Sequence, residues 1–124
     1  MRVIATNLTD AQRDALADSL GGAPASAAVR AGLRMLAETQ GQPAVGEAIA
    51  ALDAQRPERD RRGRQYSGDS RRLGLRMCEA ELAAASELRL GVGRTRESVR
   101  SVLRRAARAW VEATGGQWPA GRAA

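Results

Sequence analysis

Apolar and polar positions along the chain fall into two similar runs. Residues 2–8, Arg-Val-Ile-Ala-Thr-Asn-Leu, form a short mixed run that predicts a strand. From Thr9 to Leu20 the period lengthens. Ala11, Ala15, Leu16 and Leu20 recur at helical spacing, with Thr9 or Asp10 able to cap the start and Gly21 and Gly22 to stop it. A second helix follows, with Pro24 suited to its first position, Ser26 an alternative cap, and Val29, Leu33 and Leu36 on one side; it runs to about Thr39. The pattern then returns at residue 71. Leu73, Leu75 and Met77 alternate with Arg72, Gly74 and Arg76, a period-two strand with one apolar face. A helix from Glu79 to about Leu90 carries Leu82, Ala85 and Leu88, and Gly91 and Gly93 break it. The last helix has the clearest stripe: Val99, Val102, Leu103, Ala106, Ala107, Trp110 and Val111 on one side, Arg100, Arg104, Arg105 and Arg108 on the other. Thr95 is its expected N-cap.

Between the two runs, residues 44–55 predict a short helix presenting Val45, Ile49 and Leu52, expected to be a connector packed over the core. Residues 56–70 hold five Arg, two Gly and one Pro, with almost nothing apolar, and predict a flexible linker. The expected organisation is a first unit at 1–40, a connector at 41–70, a second unit at 71–114 and a tail at 115–124. The tail is expected to fray, with Trp118 its one residue able to fold back on the core.

A lone short strand leaves backbone donors and acceptors unpaired on both edges. Pairing strand 2–8 antiparallel with strand 71–77 removes that problem within one chain. The expected fold class is therefore mainly α with one two-stranded antiparallel ribbon backed by four helices, the two units forming an intramolecular pseudo-dimer. If Ile4, Thr6 and Leu8 face the core, Val3, Ala5 and Asn7 form the bare side of the first strand. Arg72, Gly74 and Arg76 form that of the second.

Composition narrows the chemistry. Of 124 residues none is His or Phe and one is Cys, Cys78. That removes His-based acid–base catalysis, Ser–His–Asp triads and Cys/His zinc sites, and it precludes an intrachain disulfide. No catalytic residues, metal or cofactor are expected, and the chain is not expected to be an enzyme. Its only aromatics are Tyr66, Trp110 and Trp118, too few to stack single-stranded bases. No stretch approaches the ~20 apolar residues of a membrane helix, and the polar N-terminal run does not resemble a signal peptide; a cytoplasmic location is expected. Net charge is +6. Residues 1–55 carry four Arg and six acids, whereas residues 56–124 carry sixteen Arg and eight acids. A basic half of this strength points to a polyanion, nucleic acid ahead of an acidic membrane.

The strand–helix–glycine turn–helix order resembles the ribbon-helix-helix (MetJ/Arc/CopG) superfamily. Residues 26–38 are similar to the second helix of ParD-type antitoxins, and residues 90–106 to the corresponding helix of CopG-like and mobilisation proteins. Two copies in one chain resemble TraY-type and VirC-type DNA-transfer accessory proteins. The resemblance covers roughly 80 residues and implies sequence-specific binding of double-stranded DNA by the strand face, since the major groove admits a β-ribbon. Arg72, Gly74, Arg76 and Asn7 are the expected base readers. Gly93, Arg94, Thr95 and Arg96, with Arg71 and Ser26, are the expected phosphate contacts at helix N-termini. The implied role is a transcriptional regulator or a relaxosome accessory factor, with an antitoxin-like interaction module as the alternative. A second copy on DNA, a relaxase and a toxin are the candidate protein partners.

Overall fold

The computed structural model describes residues 2–55 and 72–120, and for residues 2–7 and 72–76 the backbone alone. The elements are strand β1 (Arg2–Asn7), helices α1 (Asp10–Ser19), α2 (Ala25–Thr39) and α3 (Pro43–Ala54), strand β2 (Arg72–Met77), and helices α4 (Glu79–Ser86) and α5 (Val99–Ala113), with a single 3-10 turn at Gly93–Thr95. The linker expected at 56–70 lies outside the described residues.

α2 and α5 form the centre. α5 contributes Val102, Leu103, Ala106, Ala107 and Val111 to the core, and α2 contributes Ala28, Val29, Leu33 and Ala37. The two helices meet through backbone. A Cβ placed on Gly32 would lie 1.9 Å from the Ala106 carbonyl oxygen. Only glycine permits that approach, so Gly32 is a packing requirement inside a helix rather than a stop signal. Leu16 of α1 and Leu82 and Ala85 of α4, with Leu88 just beyond, complete the layer from either side, as do Leu8 and Met77.

Helix starts follow local chemistry. Thr9 caps α1 as the sequence predicts, and with Gln12 it forms a reciprocal capping box: Gln12 N–H donates to Thr9 Oγ1 (3.2 Å) and Thr9 N–H to Gln12 Oε1 (3.1 Å). Cys78 occupies the N-cap of α4, and its N–H donates to Glu81 Oε1 at 3.0 Å. Both N3 residues are buried, Gln12 2% and Glu81 0% exposed.

The expected ribbon backed by four helices in a pseudo-dimer is corrected. Apart from Met77 at the end of β2, the regular elements whose side chains are described are helical, five α-helices and a 3-10 turn, and no ribbon face can be read because the other strand side chains fall outside the described ones. What is described of the strands is their backbone pairing, antiparallel, with Val3 opposite Arg76, Ala5 opposite Gly74 and Asn7 opposite Arg72. The fifth helix, α3, is the one expected at 44–55, presenting Ile49 to the core. It packs against both α2 and α4 and buries Ile49 completely.

Charge reinforces α3's place. Arg30 of α2, 2% exposed, directs Nε at Asp53 Oδ1 of α3 (3.0 Å) and at Glu81 Oε2 of α4 (3.5 Å). A guanidinium withdrawn from water in this way is tolerable only beside compensating carboxylates. α3 therefore contributes a counter-ion to the core, which a connector would not.

The remaining differences have local causes. α4 ends at Ser86, short of Leu90, because the chain turns there to bury Leu88. Residues 115–120 are described and do not hang free: Trp118 packs against the core, and Gln12 Nε2 donates to the Pro119 carbonyl at 3.0 Å. Residues 121–124 lie outside the described residues.

Gly32→Ala tests the central contact. On an exposed helix Ala for Gly stabilises by about 1 kcal/mol. Against the Ala106 carbonyl the sign reverses, with an expected net loss of about 1–3 kcal/mol, read as a lower Tm in thermal circular dichroism. A variant melting at or above the wild-type temperature contradicts the close approach.

Candidate nucleic-acid interface

The segment between α4 and α5 is the most exposed cationic feature among the described residues. Residues 91–96 are all exposed, including Arg94, Thr95 and Arg96. Gly91 (φ 84°) and Gly93 (φ 63°) adopt left-handed backbone that L side chains rarely take. A Cβ at Gly91 would also press on the Thr95 carbonyl oxygen at 3.3 Å.

Hydrogen bonds at its base close this turn. Glu97 N–H donates to the Leu90 carbonyl (2.8 Å), and Leu90 N–H donates back to Glu97 Oε1 (3.3 Å). Within it, Arg96 N–H donates to the Gly93 carbonyl (3.2 Å) and Thr95 Oγ1 to the Val92 carbonyl (3.0 Å). Arg96 Nη2 reaches the Ser86 carbonyl at 3.5 Å, and Arg89 Nε donates to the Glu97 carbonyl.

Thr95 is not the N-cap of α5. It belongs to the 3-10 turn, and Arg96 and Glu97 carry the chain across the closing bonds before the helix begins. Ser98 is the cap, its Oγ accepting from Ser101 N–H at 3.2 Å. Arg94 and Arg96 therefore precede the helix N-terminus instead of lying within its first turn. The cap expected at Thr95 thus falls three residues later, where Ser98 meets the helix start and Glu97 docks against the helix.

Glu97 and Arg105 form the polar centre beneath the turn. Arg105 Nη2 donates to Glu97 Oε1 at 2.7 Å and Nε to Oε2 at 2.8 Å, a two-point pair with side chains 27% and 13% exposed. Ser101 Oγ adds a donor to Oε2 at 2.8 Å. Arg105 also donates to the Leu88 carbonyl (3.0 Å) and to Gln40 Oε1 (3.2 Å), and Gln40 Nε2 donates to the same Leu88 carbonyl (3.1 Å). Gln42 Nε2 donates to the Glu87 carbonyl at 3.1 Å. Thus the end of α2 is bonded to the base of a turn in the other half of the chain. The sequence reading placed Arg105 on a solvated face; it is instead enclosed by these acceptors. Arg108 does lie on the exposed side, 62% accessible beside Glu112.

Burial pushes the Glu97 carboxyl pKa up, but donation from Arg105, Ser101 and the Leu90 N–H outweighs it and holds the value below the usual carboxylate range.

The other expected site residues are placed as follows. Asn7, Arg72, Gly74 and Arg76 stand in the paired strands at the register given above. Arg71 lies outside the described residues. Ser26 is 8% exposed in the first turn of α2, so its hydroxyl has little surface to offer a phosphate. The turn before α2 carries glycines at positive φ, Gly21 and Gly22, but no arginine. The polar residues missed by sequence reasoning are Arg105, which pairs with Glu97, Gln40, which accepts from Arg105, and the buried Glu81. For Glu81 a signal exists: Cys78 and Glu81 stand at capping-box spacing.

Among the described residues no group of three or more Cys, Asp or Glu could hold a metal ion, and no helix is long and apolar enough to cross a membrane. No protein-family model matches the chain, and no curated protein or solved structure matches it. The ribbon-helix-helix resemblance therefore remains a reading of the residues alone.

The lowered Glu97 pKa predicts a pH dependence. A carboxyl depressed in the folded state contributes stability that is fully present above its unfolded value, about 4.3 for Glu, and is lost as pH falls through the folded value. The Tm advantage of wild type over Glu97→Gln should hold at about pH 6 and be lost on acidification as the pH falls through that lowered folded value. An advantage that persists unchanged in acid contradicts the pair.

Proposed function

We propose that this chain is a sequence-specific double-stranded DNA-binding protein of the cytoplasm, acting as a transcriptional regulator or as an accessory factor in conjugative DNA transfer. The reading rests on the candidate base readers Arg72, Gly74, Arg76 and Asn7, supported by a backbone pairing with Arg72 opposite Asn7 and Arg76 opposite Val3. Arg donates in pairs to guanine O6 and N7, Asn pairs with adenine, and Gly allows close approach.

Two further features support it. The exposed turn with Arg94 and Arg96 supplies cations of the kind that hold phosphates without reading sequence. The excess of arginine over acid falls in the half of the chain that carries β2 and this turn. The guanidinium fork suits phosphate and guanine better than an ammonium would.

Selection of bound duplexes from a random pool should enrich one motif. On that motif Arg76→Ala should weaken binding by about 1–3 kcal/mol and relax the preference at the affected base pairs. Arg94→Ala should weaken all sequences alike and make the log–log salt slope shallower by about 0.9. A pool that yields no motif, together with an Arg76→Ala variant of unchanged affinity, overturns the reading.

A further inference from the structure

The cationic turn could not keep a fixed shape on its own. Its two left-handed glycines confer freedom, and nothing apolar anchors it: Leu90 is 50% and Val92 81% exposed. Backbone bonds close it, Glu97 N–H to the Leu90 carbonyl and Arg96 N–H to the Gly93 carbonyl, and one carboxylate ties the closed turn to the body of the protein. Glu97 receives the Leu90 N–H on Oε1, so the side chain joins the two ends of the turn, and both its oxygens are held by Arg105. Arg105 is itself fixed from the other half of the chain by Gln40 and from the end of α4 by the Leu88 carbonyl.

We propose that Glu97 is a positioning residue for phosphate binding, fixing the turn so that Arg94 and Arg96 meet the DNA backbone from one prepared geometry. This rests on the DNA-binding reading above. Glu97 carries the charge that DNA repels, so its presence under a cationic turn is unfavourable for simple attraction. Its return is order: a turn held before binding does not lose its conformational freedom on binding, and that saving appears as affinity. Gln40 extends the same control to α2, so the first half of the chain governs the shape of a contact surface in the second.

The sign of one substitution separates positioning from electrostatics. Glu97→Gln removes a negative charge, and by attraction alone it should tighten DNA binding. Positioning predicts the opposite, an affinity loss of about fivefold or more. It also predicts coupling: Arg94→Ala should cost clearly less in the Glu97→Gln background than in wild type, because a turn no longer held does not deliver that arginine.

The test is fluorescence anisotropy with the selected duplex across a salt series, on wild type, the two single variants and the double variant. Amide hydrogen exchange of the free proteins accompanies it. Faster exchange confined to residues 90–97 in Glu97→Gln, with weaker binding and a shallower salt slope, supports the proposal. Tighter or unchanged binding by Glu97→Gln, or losses that simply add in the double variant, overturns it while leaving DNA binding intact. Faster exchange throughout α2 and α5 reveals a general stabilising role and also overturns it. Wild-type protein that binds no duplex at all ends the DNA reading, and this inference with it.

Discussion

Backbone-to-backbone contact between α2 and α5 is the constraint on which the rest of the molecule depends. It exists because Gly32 has no side chain at the point where the Ala106 carbonyl arrives. Two helices brought this close leave a thin layer between them, and the chain fills it with Ala, Val and Leu. An aromatic ring at the crossing itself would force the helices apart, and Trp110 packs beside the layer instead. Each fully buried Val or Leu contributes about 1.5–3 kcal/mol, so the thin layer needs many such residues, and α5 presents them along almost its whole length.

Around that layer the chain places two arginines with different roles. Arg30 lies in the body of the protein, between Asp53 and Glu81. Removing one member of such a cluster strands a charge and costs about 3–5 kcal/mol. Arg105 sits nearer the surface, where Glu97, Gln40 and the Leu88 carbonyl surround it. Both bring together elements from the two halves of the chain. Arg105 is also drawn away from the surface, so the basic character of the second half cannot be equated with its exposed charge.

Much of the helical layout was legible because it follows from local periodicity and local caps. The α5 stripe, a cap at Thr9 or Asp10 and the breaks at Gly21 and Gly91 required no tertiary information. For α3 the apolar spacing gave Ile49 as a core residue but not the role of Asp53, which acquires meaning only once Arg30 of α2 lies beside it. Likewise the expected cap at Thr95 gives way to Ser98, because Glu97 docks on Arg105 and the helix starts only after it. Arg105 itself reads as one more arginine on a polar helix face. Its acceptors come from 17 residues upstream and from 65 residues upstream, beyond any periodic pattern. At the candidate interface, sequence identified Arg94 and Arg96 as exposed cations but not the carboxylate that shapes their turn.

The wiring of the halves sets the pace of folding. Strand residues 2–7 pair with 72–77, α1 packs on α5, α3 on α4, and Gln12 holds the carbonyl of Pro119 across 107 residues. A helical protein usually folds fast because its contacts are near neighbours in sequence. Here the decisive contacts join distant segments, so the entropy of closing long loops must be met before the helices gain their partners. Despite its helical content, this chain should cross its folding barrier at the slower rate characteristic of mixed topologies.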